Sequence, residues 1–301
     1  MSKKLLWIVL TLVLISTLAV VSGCSEKAKL GEEDKPIIWV FVPSGETERV
    51  TAGFESVTAL LEEETGLFFE TSIATEYAGV IEAMCSDPPD AHMASLATFA
   101  YVMAADKGCA DAALLSVRYG SATYNGQFLV HADSGIGSLE ELNGKTFCRP
   151  DPFSTSGWVI PSIMLKAAGV DPDTGLAQIV DAGSHDGVAA AVYDGTCDVG
   201  ATYVDARTRI EEDYPDVMEK TVVIALEPDI PNDGVQFQTD MDKELRDKIV
   251  AGLLAVAATE EGAEAINVAY DWTELMEADD GVYDAFRQIL QAAGVNIEDL
   301  Q

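Results

Sequence analysis

Short, continuous apolar runs alternate along the chain with longer segments whose apolar side chains recur every three or four positions. The run at 37–42 predicts a buried strand, and the apolar spacing of 46–65 predicts a helix that ends before Gly66. The remaining predicted strands are 68–73, 92–95, 112–116, 128–131, 146–149, 178–180, 199–203, 222–225 and 234–238. The remaining predicted helices are 77–84, 98–105, the segment that follows loop 151–157 up to 168, 187–194, 245–258, 260–269 and 283–293. This alternation of strands and helices predicts an α/β fold.

The predicted elements form two α/β units that the chain joins by two crossings, near 125–131 and near 226–233. A chain that enters a second lobe and returns beside its entry point is typical of a hinge protein. The ligand of such a protein binds in the cleft between the lobes. We therefore expect one lobe from 37–127 plus 230–301 and a second lobe from 128–229.

The N-terminus has the order of a secretory signal: two lysines, the apolar run 5–20, and then small residues before Cys24. A cysteine directly after such a cleavage site resembles the bacterial lipobox. Residues 1–23 are therefore expected to be a lipoprotein signal peptide, and Cys24 is expected to carry the lipid. The polar segment 24–36 is expected to be a tether. The alternative is a plain transmembrane anchor, for which the run is short because a span needs about 20 residues.

The composition is strongly acidic, with 51 acidic and 18 basic residues and a formal net charge of −33. Such a chain repels phosphate backbones, which excludes non-specific binding to nucleic acid. The acidic residues are spread along the chain, so most of them are expected on solvated faces. An anionic ligand would have to be attracted locally, by backbone and hydroxyl dipoles.

Four cysteines follow the expected lipidation site, and an even number in an exported protein indicates disulfides. Four cysteines allow three pairings. The pairs Cys85 with Cys109 and Cys148 with Cys197 would each stay within one predicted lobe. The alternative is four small buried thiols. The cysteines form no CxxC pair and do not cluster with histidine, so no metal site is expected.

Loop 151–157 carries the most informative chemistry of the chain. Three consecutive hydroxyl residues, Ser154, Thr155 and Ser156, are followed by Gly157 and an apolar run. A helix that begins here places hydroxyl groups beside backbone N–H groups that have no intrahelical partner, where the helix dipole adds partial positive charge. These donors predict a pocket for a tetrahedral oxyanion that needs no Lys or Arg. The alternative is an ordinary polar helix cap.

Other short motifs accompany this loop in a definite order. They are TEYAGVIEA at 75–83, Tyr124, SGI at 134–136, LEELNGKT at 139–146, GSHD at 183–186, GTCDVGA at 195–201 and IPND at 230–233. Their joint order behind a lipoprotein signal resembles the phosphate/phosphite/phosphonate-binding (PhnD-like) proteins of bacterial ABC importers. The resemblance runs from about residue 37 to the end of the last helix. It implies the α/β, two-lobe periplasmic binding protein type 2 fold, with a hinge and an interlobe ligand cleft.

The resemblance also implies a ligand-binding set on both sides of the cleft. Ser154, Thr155 and Ser156 would hold the phosphoryl oxygens together with the backbone N–H groups of the helix start. Tyr77 and Tyr124 match aromatic positions that line the pocket from the other lobe. Without the resemblance, a tyrosine at the start of a helical run is more often a half-buried boundary residue.

The resemblance further matches His185 to a ligand-contacting histidine, and Asp205 and Asp233 to acidic positions of the family. From the residues alone, His185 could only mark a helix start, and Asp233 could only fix a turn. A carboxylate beside a phosphoryl group is favourable when the ligand keeps a P–OH or carries an ammonium group. We therefore expect protonated oxyanions or aminoalkyl phosphonates to bind. Sulfate should be rejected, because a buried acceptor would stay unpaired.

Together these features predict a solute-binding lipoprotein outside the membrane, which captures phosphonate, phosphite or phosphate and delivers it to an ABC permease. The chain has no nucleophile-elbow pattern, no metal-ligand spacing and no glycine-rich phosphate loop, so it is not expected to be an enzyme or to hold a cofactor. The expected partners are the small ligand, the permease and, through the lipid, the membrane. Two alternatives share the fold: a binding protein for another small organic ligand, and a ligand-sensing module for a signalling partner.

Overall fold

The computed structural model describes residues 28–295 and residue 297. The expected signal peptide 1–23 and Cys24 lie outside the described residues, as do the first residues of the expected tether. Within the described part of the chain, no helix has both the length and the apolar character needed to cross a bilayer.

The described residues form two large β-sheets with helices packed against them, and a third sheet of two short strands. The strands are β1 (Ile37–Phe41), β2 (Phe69–Ile73), β3 (Met93–Ser95), β4 (Ala110–Val117), β5 (Thr123–Tyr124), β6 (Gly126–His131), β7 (Thr146–Arg149), β8 (Gln178–Asp181), β9 (Val199–Tyr203), β10 (Thr221–Leu226), β11 (Ile230–Pro231), β12 (Gly234–Gln238) and β13 (Glu274–Glu277). The α-helices are α1 (Thr47–Thr65), α2 (Tyr77–Cys85), α3 (Thr98–Asp106), α4 (Ile160–Ala167), α5 (His185–Tyr193), α6 (Val217–Lys220), α7 (Lys243–Ala257), α8 (Glu260–Tyr270) and α9 (Asp284–Ala292).

Sheet A has six strands in the order β13-β4-β12-β3-β1-β2. Strand β1 pairs in parallel with β2 and β3, whereas β12 pairs antiparallel with β3 and β4. The apolar run of β1 is almost fully buried, and the ring of Phe41 stacks on Phe54 of α1 with centroids 3.6 Å apart. Sheet A and its helices form the first lobe.

Sheet B has five strands in the order β10-β6-β9-β7-β8. Strand β7 is parallel to β8 and β9, and β6 is antiparallel to β9 and β10. The rings of Phe128 and Trp158 both pack edge-on against Phe147 of β7, with centroids 6.2 and 5.4 Å away. This packing anchors loop 151–157 at the carboxyl end of β7, the end at which α/β sheets usually bind ligands. Sheet B and its helices form the second lobe.

The two connections between the lobes run side by side. Strand β5 pairs antiparallel with β11, so that Tyr124 lies opposite Ile230. At the end of the connections next to sheet B, the backbone N–H of Glu227 donates to the carbonyl of Gly126 at 2.8 Å. The sequence predicted paired crossings in this region, but it did not predict the two-residue strands β5 and β11, which are too short to show a periodicity.

Two disulfides join the four cysteines of the described chain. Cys85 is bonded to Cys109 in the first lobe, and Cys148 to Cys197 in the second. Of the three possible pairings, the structure therefore has the one that keeps each bond within a lobe. Each disulfide ties the end of one helix or strand to the start of another, which constrains the unfolded chain.

The helix after loop 151–157 begins differently from the prediction. Instead of a regular α-helix from the hydroxyl residues onward, Thr155–Val159 form a wider, π-helical turn that leads into α4. The N–H of Val159 reaches back to the carbonyl of Ser154 at 3.0 Å. Single turns of this kind often occur at functional sites, because they insert one extra residue into the helix.

Candidate ligand-binding site

A cavity of about 40 Å³ lies between the two lobes. One buried water needs about 10–15 Å³ measured in the same way, so the cavity holds a ligand of only a few non-hydrogen atoms. Seven of the eight residues predicted to bind ligand line it: Tyr77, Tyr124, Ser154, Thr155, Ser156, His185 and Asp233. The remaining prediction, Asp205, does not.

The hydroxyl groups of loop 151–157 are held by backbone donors. The Oγ of Ser154 accepts from the N–H of Gly157 at 3.1 Å, and the Oγ1 of Thr155 accepts from the N–H of Phe99 at 2.9 Å. Because each oxygen already accepts a hydrogen bond, the hydroxyl proton remains available for donation. Gly157 is required here, since a Cβ at this position would lie 2.2 Å from the Cδ of Pro150.

Two tyrosines face these hydroxyls from the first lobe. Burial raises the pKa of Tyr77 well above its usual value, and burial is also the main cause of the raised pKa of Tyr124. Tyr77 is the first residue of α2 and is fully buried, not half-buried as a boundary residue would be. Both phenols therefore stay neutral and can donate a hydrogen bond to an anion.

His185 is an uncharged member of the site. Burial and, second, the nearby guanidinium of Arg118 lower the pKa of His185 to about 3. Its Nε2 lies 3.3 Å from the Oγ of Ser154, whereas its buried Nδ1 has no partner among the described residues. A neutral imidazole offers one donor and one acceptor, so it can bind an anion without adding charge.

The cavity is also lined by two arginines, which the sequence analysis did not single out. Arg118 follows the end of β4 and forms an ion pair with Asp233, with Nη2 and Oδ1 2.7 Å apart. Arg49 in the first turn of α1 forms an ion pair with Asp186 at 3.1 Å. Their positions in the sequence were the available signal. In a chain with only 18 basic residues, Arg118 follows a predicted strand and Arg49 lies at the start of a predicted helix.

The ion pair of Arg118 and Asp233 is held from several sides. The Nε of Arg118 donates to the carbonyl of Tyr270 at 3.1 Å, and its guanidinium lies 5.5 Å from the ring centroid of Tyr124. The indole N–H of Trp272 donates to the second carboxylate oxygen of Asp233 at 3.2 Å. These contacts fix a cation and an acceptor side by side in the cavity wall.

Asp205 does not line this cavity but lines a neighbouring pocket, together with Arg118 and Tyr124. Its carboxylate is paired with the guanidinium of Arg207 at 2.5 Å and accepts from the side-chain amide of Gln127 at 2.9 Å. Gln127 belongs to β6 of sheet B, and Asp205 and Arg207 follow β9 of the same sheet. Since both partners compensate the carboxylate, the pKa of Asp205 is lowered although burial alone would raise it.

Backbone contacts across the cleft close the cavity. The N–H of His185 donates to the carbonyl of Ser44 at 3.1 Å, and the N–H of Tyr77 donates to the carboxylate of Asp151 at 3.0 Å. An ion pair between Arg209 of the second lobe and Asp271 of the first lies beside them. The structure is therefore a closed conformation. Within residues 28–295, no cluster of His, Cys, Asp or Glu has the arrangement of a metal site.

Comparison with known proteins agrees with this geometry. The profile of a family described as the periplasmic substrate-binding protein of phosphonate ABC transporters matches residues 39–283. The chain is 33% identical over 172 residues to the phosphate-import protein PhnD of Mycolicibacterium smegmatis, which is 54% of this chain and 53% of that protein. It is 27% identical over 194 residues to the phosphonates-binding periplasmic protein of Escherichia coli, covering 63% of this chain and 56% of that protein. The chain thus spans about half the length of the curated relatives it matches.

Solved structures share the architecture. A binding protein component of an ABC phosphonate transporter from Pseudomonas aeruginosa superposes with a TM-score of 0.78, at 23% identity and 86% coverage of both chains. PhnD1 from Prochlorococcus marinus, solved in complex with methylphosphonate, superposes with a TM-score of 0.76 at 15% identity, covering 86% of this chain and 98% of that one. These similarities show the fold of the periplasmic binding proteins. With the family profile matching most of its length, the chain belongs to the periplasmic substrate-binding proteins of phosphonate ABC transporters.

Proposed function

We propose that this protein captures a small phosphoryl oxyanion (phosphonate, phosphite or phosphate) outside the membrane for an ABC importer. The observation that carries the proposal is the small cavity, which is lined by Ser154, Thr155 and Ser156 from one lobe and by Arg118 from the other. Hydroxyl, amide and guanidinium donors around a space of this size suit a tetrahedral anion. The names of the relatives, for phosphate import and for phosphonate binding, point to the same ligand class.

The charges around the cavity favour a ligand with a single negative charge. The guanidinium groups of Arg118 and Arg49 are already compensated by Asp233 and Asp186, and His185 is neutral. A dianion would therefore bring uncompensated charge into a closed space, which is costly. A monoanion that keeps a P–OH can donate that proton to Asp233 while its other oxygens accept hydrogen bonds. Sulfate has no such proton and would leave the acceptor of Asp233 unpaired.

The same charges disfavour an ammonium group on the ligand. Asp205 lies outside the cavity, and the two acids that line it, Asp233 and Asp271, are each paired with an arginine. Within the described lining, every carboxylate is thus already compensated. Of the two ligand chemistries that the sequence left open, we favour the small protonated oxyanion over the aminoalkyl phosphonate.

Calorimetric titration with phosphate, phosphite, methylphosphonate, aminoethylphosphonate and sulfate tests this assignment. We expect one or more of the first three to bind, aminoethylphosphonate to bind more weakly than methylphosphonate, and sulfate not to bind. The affinity for the ligand that binds should decrease as the pH rises through the second ionisation of that ligand. Binding of sulfate as tight as that of phosphate, or no binding of any phosphoryl compound, would contradict the proposal.

We further propose the cellular arrangement that the sequence predicted. The signal peptide would be 1–23, Cys24 would carry the lipid, and 24–36 would tether the lobes to the membrane beside a permease. The lobes would comprise 37–127 plus 230–301, and 128–229. Mass spectrometry of the mature protein tests the anchor: a lipid-modified N-terminal Cys24 is expected, and an unmodified N-terminus at another residue would contradict it.

A further inference from the structure

A buried glutamate without a partner lies where the two connections between the lobes cross. The side chain of Glu227 is 3% exposed, and neither carboxyl oxygen has a hydrogen-bond partner among the described residues. Most buried carboxylates are paired, because an isolated buried charge is costly. A buried carboxyl group without a partner at a hinge therefore needs a physical explanation. Glu227 does not line the cavity, so ligand binding does not explain it.

The crossing is built around this carboxyl group. Glu227 follows β10 and is bonded to the entering connection twice: its N–H donates to the carbonyl of Gly126 at 2.8 Å, and its carbonyl accepts from the side chain of Asn125 at 3.1 Å. A Cβ at Gly126 would lie 2.1 Å from the carboxyl carbon of Glu227. The carboxyl group thus fills the space that any side chain at Gly126 would need, and the two connections hold it between them.

No cation among the described residues forms an ion pair with Glu227. The titratable group beside it on β5 is Tyr124, whose pKa is raised mainly by burial, with Glu227 as the last of several further influences. On its own segment, Asp229 is exposed, and its carboxylate accepts from Asn125 at 2.9 Å. Burial raises the pKa of the Glu227 carboxyl well above its usual value. A buried carboxyl group without a hydrogen-bond partner favours its protonated, neutral form.

We propose that Glu227 is a proton-binding site of the hinge, so that closure of the lobes around a ligand takes up one proton. In the open protein, movement of the two connections would admit water to the carboxylate, which ionises. On closing, the carboxylate binds a proton from solvent and is buried against Gly126 as a neutral acid. The inference adds to the proposed ligand capture, because the ligand then stabilises closure and proton uptake together.

The sign of the pH dependence follows from this linkage. A group that binds its proton more tightly in the closed state favours closure below its closed-state pKa, and this advantage decreases as the pH rises above the open-state pKa. Between these values, one coupled proton weakens ligand binding by up to about tenfold per pH unit. A low pH would thus favour the closed state even without ligand.

Calorimetry with methylphosphonate at about pH 7, in two buffers of different ionisation enthalpy, measures proton uptake directly. Glu227→Gln keeps the shape of the side chain but cannot ionise. We expect the wild type to take up almost one proton more per bound ligand than Glu227→Gln does. The matched control is Asp229→Asn, an exposed carboxylate on the same segment, which should behave like the wild type. The protonation of the ligand itself is common to all three proteins and cancels. Equal uptake by the wild type and Glu227→Gln would overturn the inference.

Two measurements keep the test independent of the variant and of the ligand. Infrared difference spectra of the wild type should gain a protonated-carboxyl band when ligand is added, and no gain would count against the inference even if Glu227→Gln did not fold.

If methylphosphonate does not bind, the proposed function fails on that ligand, but the hinge can still be tested. Small-angle scattering of the ligand-free protein from about pH 5 to about pH 9 should then show a closed fraction that decreases with pH. A closed fraction independent of pH would overturn the inference.

Discussion

Thr155 connects anion binding to closure, so its hydroxyl is the most informative group to remove. Its Oγ1 accepts from the N–H of Phe99, one of the first N–H groups of α3, which have no partner inside that helix. The residue that precedes α3, Ala97, has no side chain that can cap it. Thr155 therefore caps a helix of the opposite lobe, and it does so only when the lobes are closed. Thr155→Val removes the hydroxyl and keeps the shape of the side chain.

The loss of affinity has two parts. A hydrogen bond to a charged ligand contributes about 1.5–3 kcal/mol, and a neutral one, such as that from Phe99, about 0.5–1.5 kcal/mol. Both are present in the closed, liganded state and absent from the open one. Their sum of about 2–4.5 kcal/mol predicts that Thr155→Val binds about 30-fold to 2,000-fold more weakly than the wild type.

The control is Thr155→Ser, which keeps the hydroxyl and loses one buried methyl group. At about 0.8 kcal/mol for such a group, its affinity should stay within about fivefold of the wild type. Calorimetry with the tightest-binding phosphoryl ligand gives the dissociation constants, and thermal melts without ligand confirm that both variants fold. If Thr155→Val binds as tightly as Thr155→Ser, neither the contact with the anion nor the capping of α3 by Thr155 contributes to binding, and the reasoning fails.

Three further substitutions test the charges of the site. Asp233→Asn replaces an acceptor by a donor and leaves Arg118 uncompensated, so sulfate should become a detectable ligand in calorimetry; continued rejection of sulfate would argue against Asp233 as the selecting group. Asp205→Asn should leave the affinity for every ligand close to that of the wild type, since Asp205 does not line the cavity and its carboxylate is bonded to Arg207 and Gln127; a large, ligand-dependent effect would mean that Asp205 contributes to ligand binding. His185→Gln should reduce the loss of stability on acidification: with a folded pKa of about 3 against an unfolded value of about 6.5, His185 destabilises the fold progressively as the pH falls through that window. Denaturant titrations of both proteins at several pH values would show parallel curves if His185 were not buried and neutral.

The sequence predicts those parts of the fold and site that depend on local chemistry. The apolar run of β1 and the helical spacing of α1 are properties of short segments, and the structure has both elements close to the predicted bounds. Loop 151–157 was also recognisable, because hydroxyl residues before an apolar run indicate a helix start wherever they occur. Strand β13 was not predicted, since two apolar residues flanked by two glutamates also suit an exposed helix or loop.

The parts that the sequence did not predict depend on which side chains meet across long separations. Nothing local distinguishes Asp205, whose carboxylate is taken by Arg207, from Asp233, whose partner Arg118 lies in a distant segment. Glu227 stands in an LEPD segment that resembles an exposed turn, yet it is buried because Gly126 on the other connection leaves room for it. Which partner each of these side chains contacts is determined by the topology of the fold and not by the local sequence around it.

The contacts across the cleft indicate why a small ligand should be favoured. Three N–H groups near helix starts of the first lobe, those of Glu46, Tyr77 and Phe99, are bonded to side chains of the second lobe. All three bonds need full closure. The bond to the hydroxyl of Thr155 contributes about 0.5–1.5 kcal/mol, and bonds to charged carboxylates, such as those of Asp186 and Asp151, contribute about 1.5–3 kcal/mol. A substituent that keeps the lobes slightly apart therefore loses these bonds together, in addition to any steric conflict of its own. Selection by size would then depend on the whole interface between the lobes, and we expect a methyl group or a hydrogen on phosphorus to be accommodated where a longer chain is not.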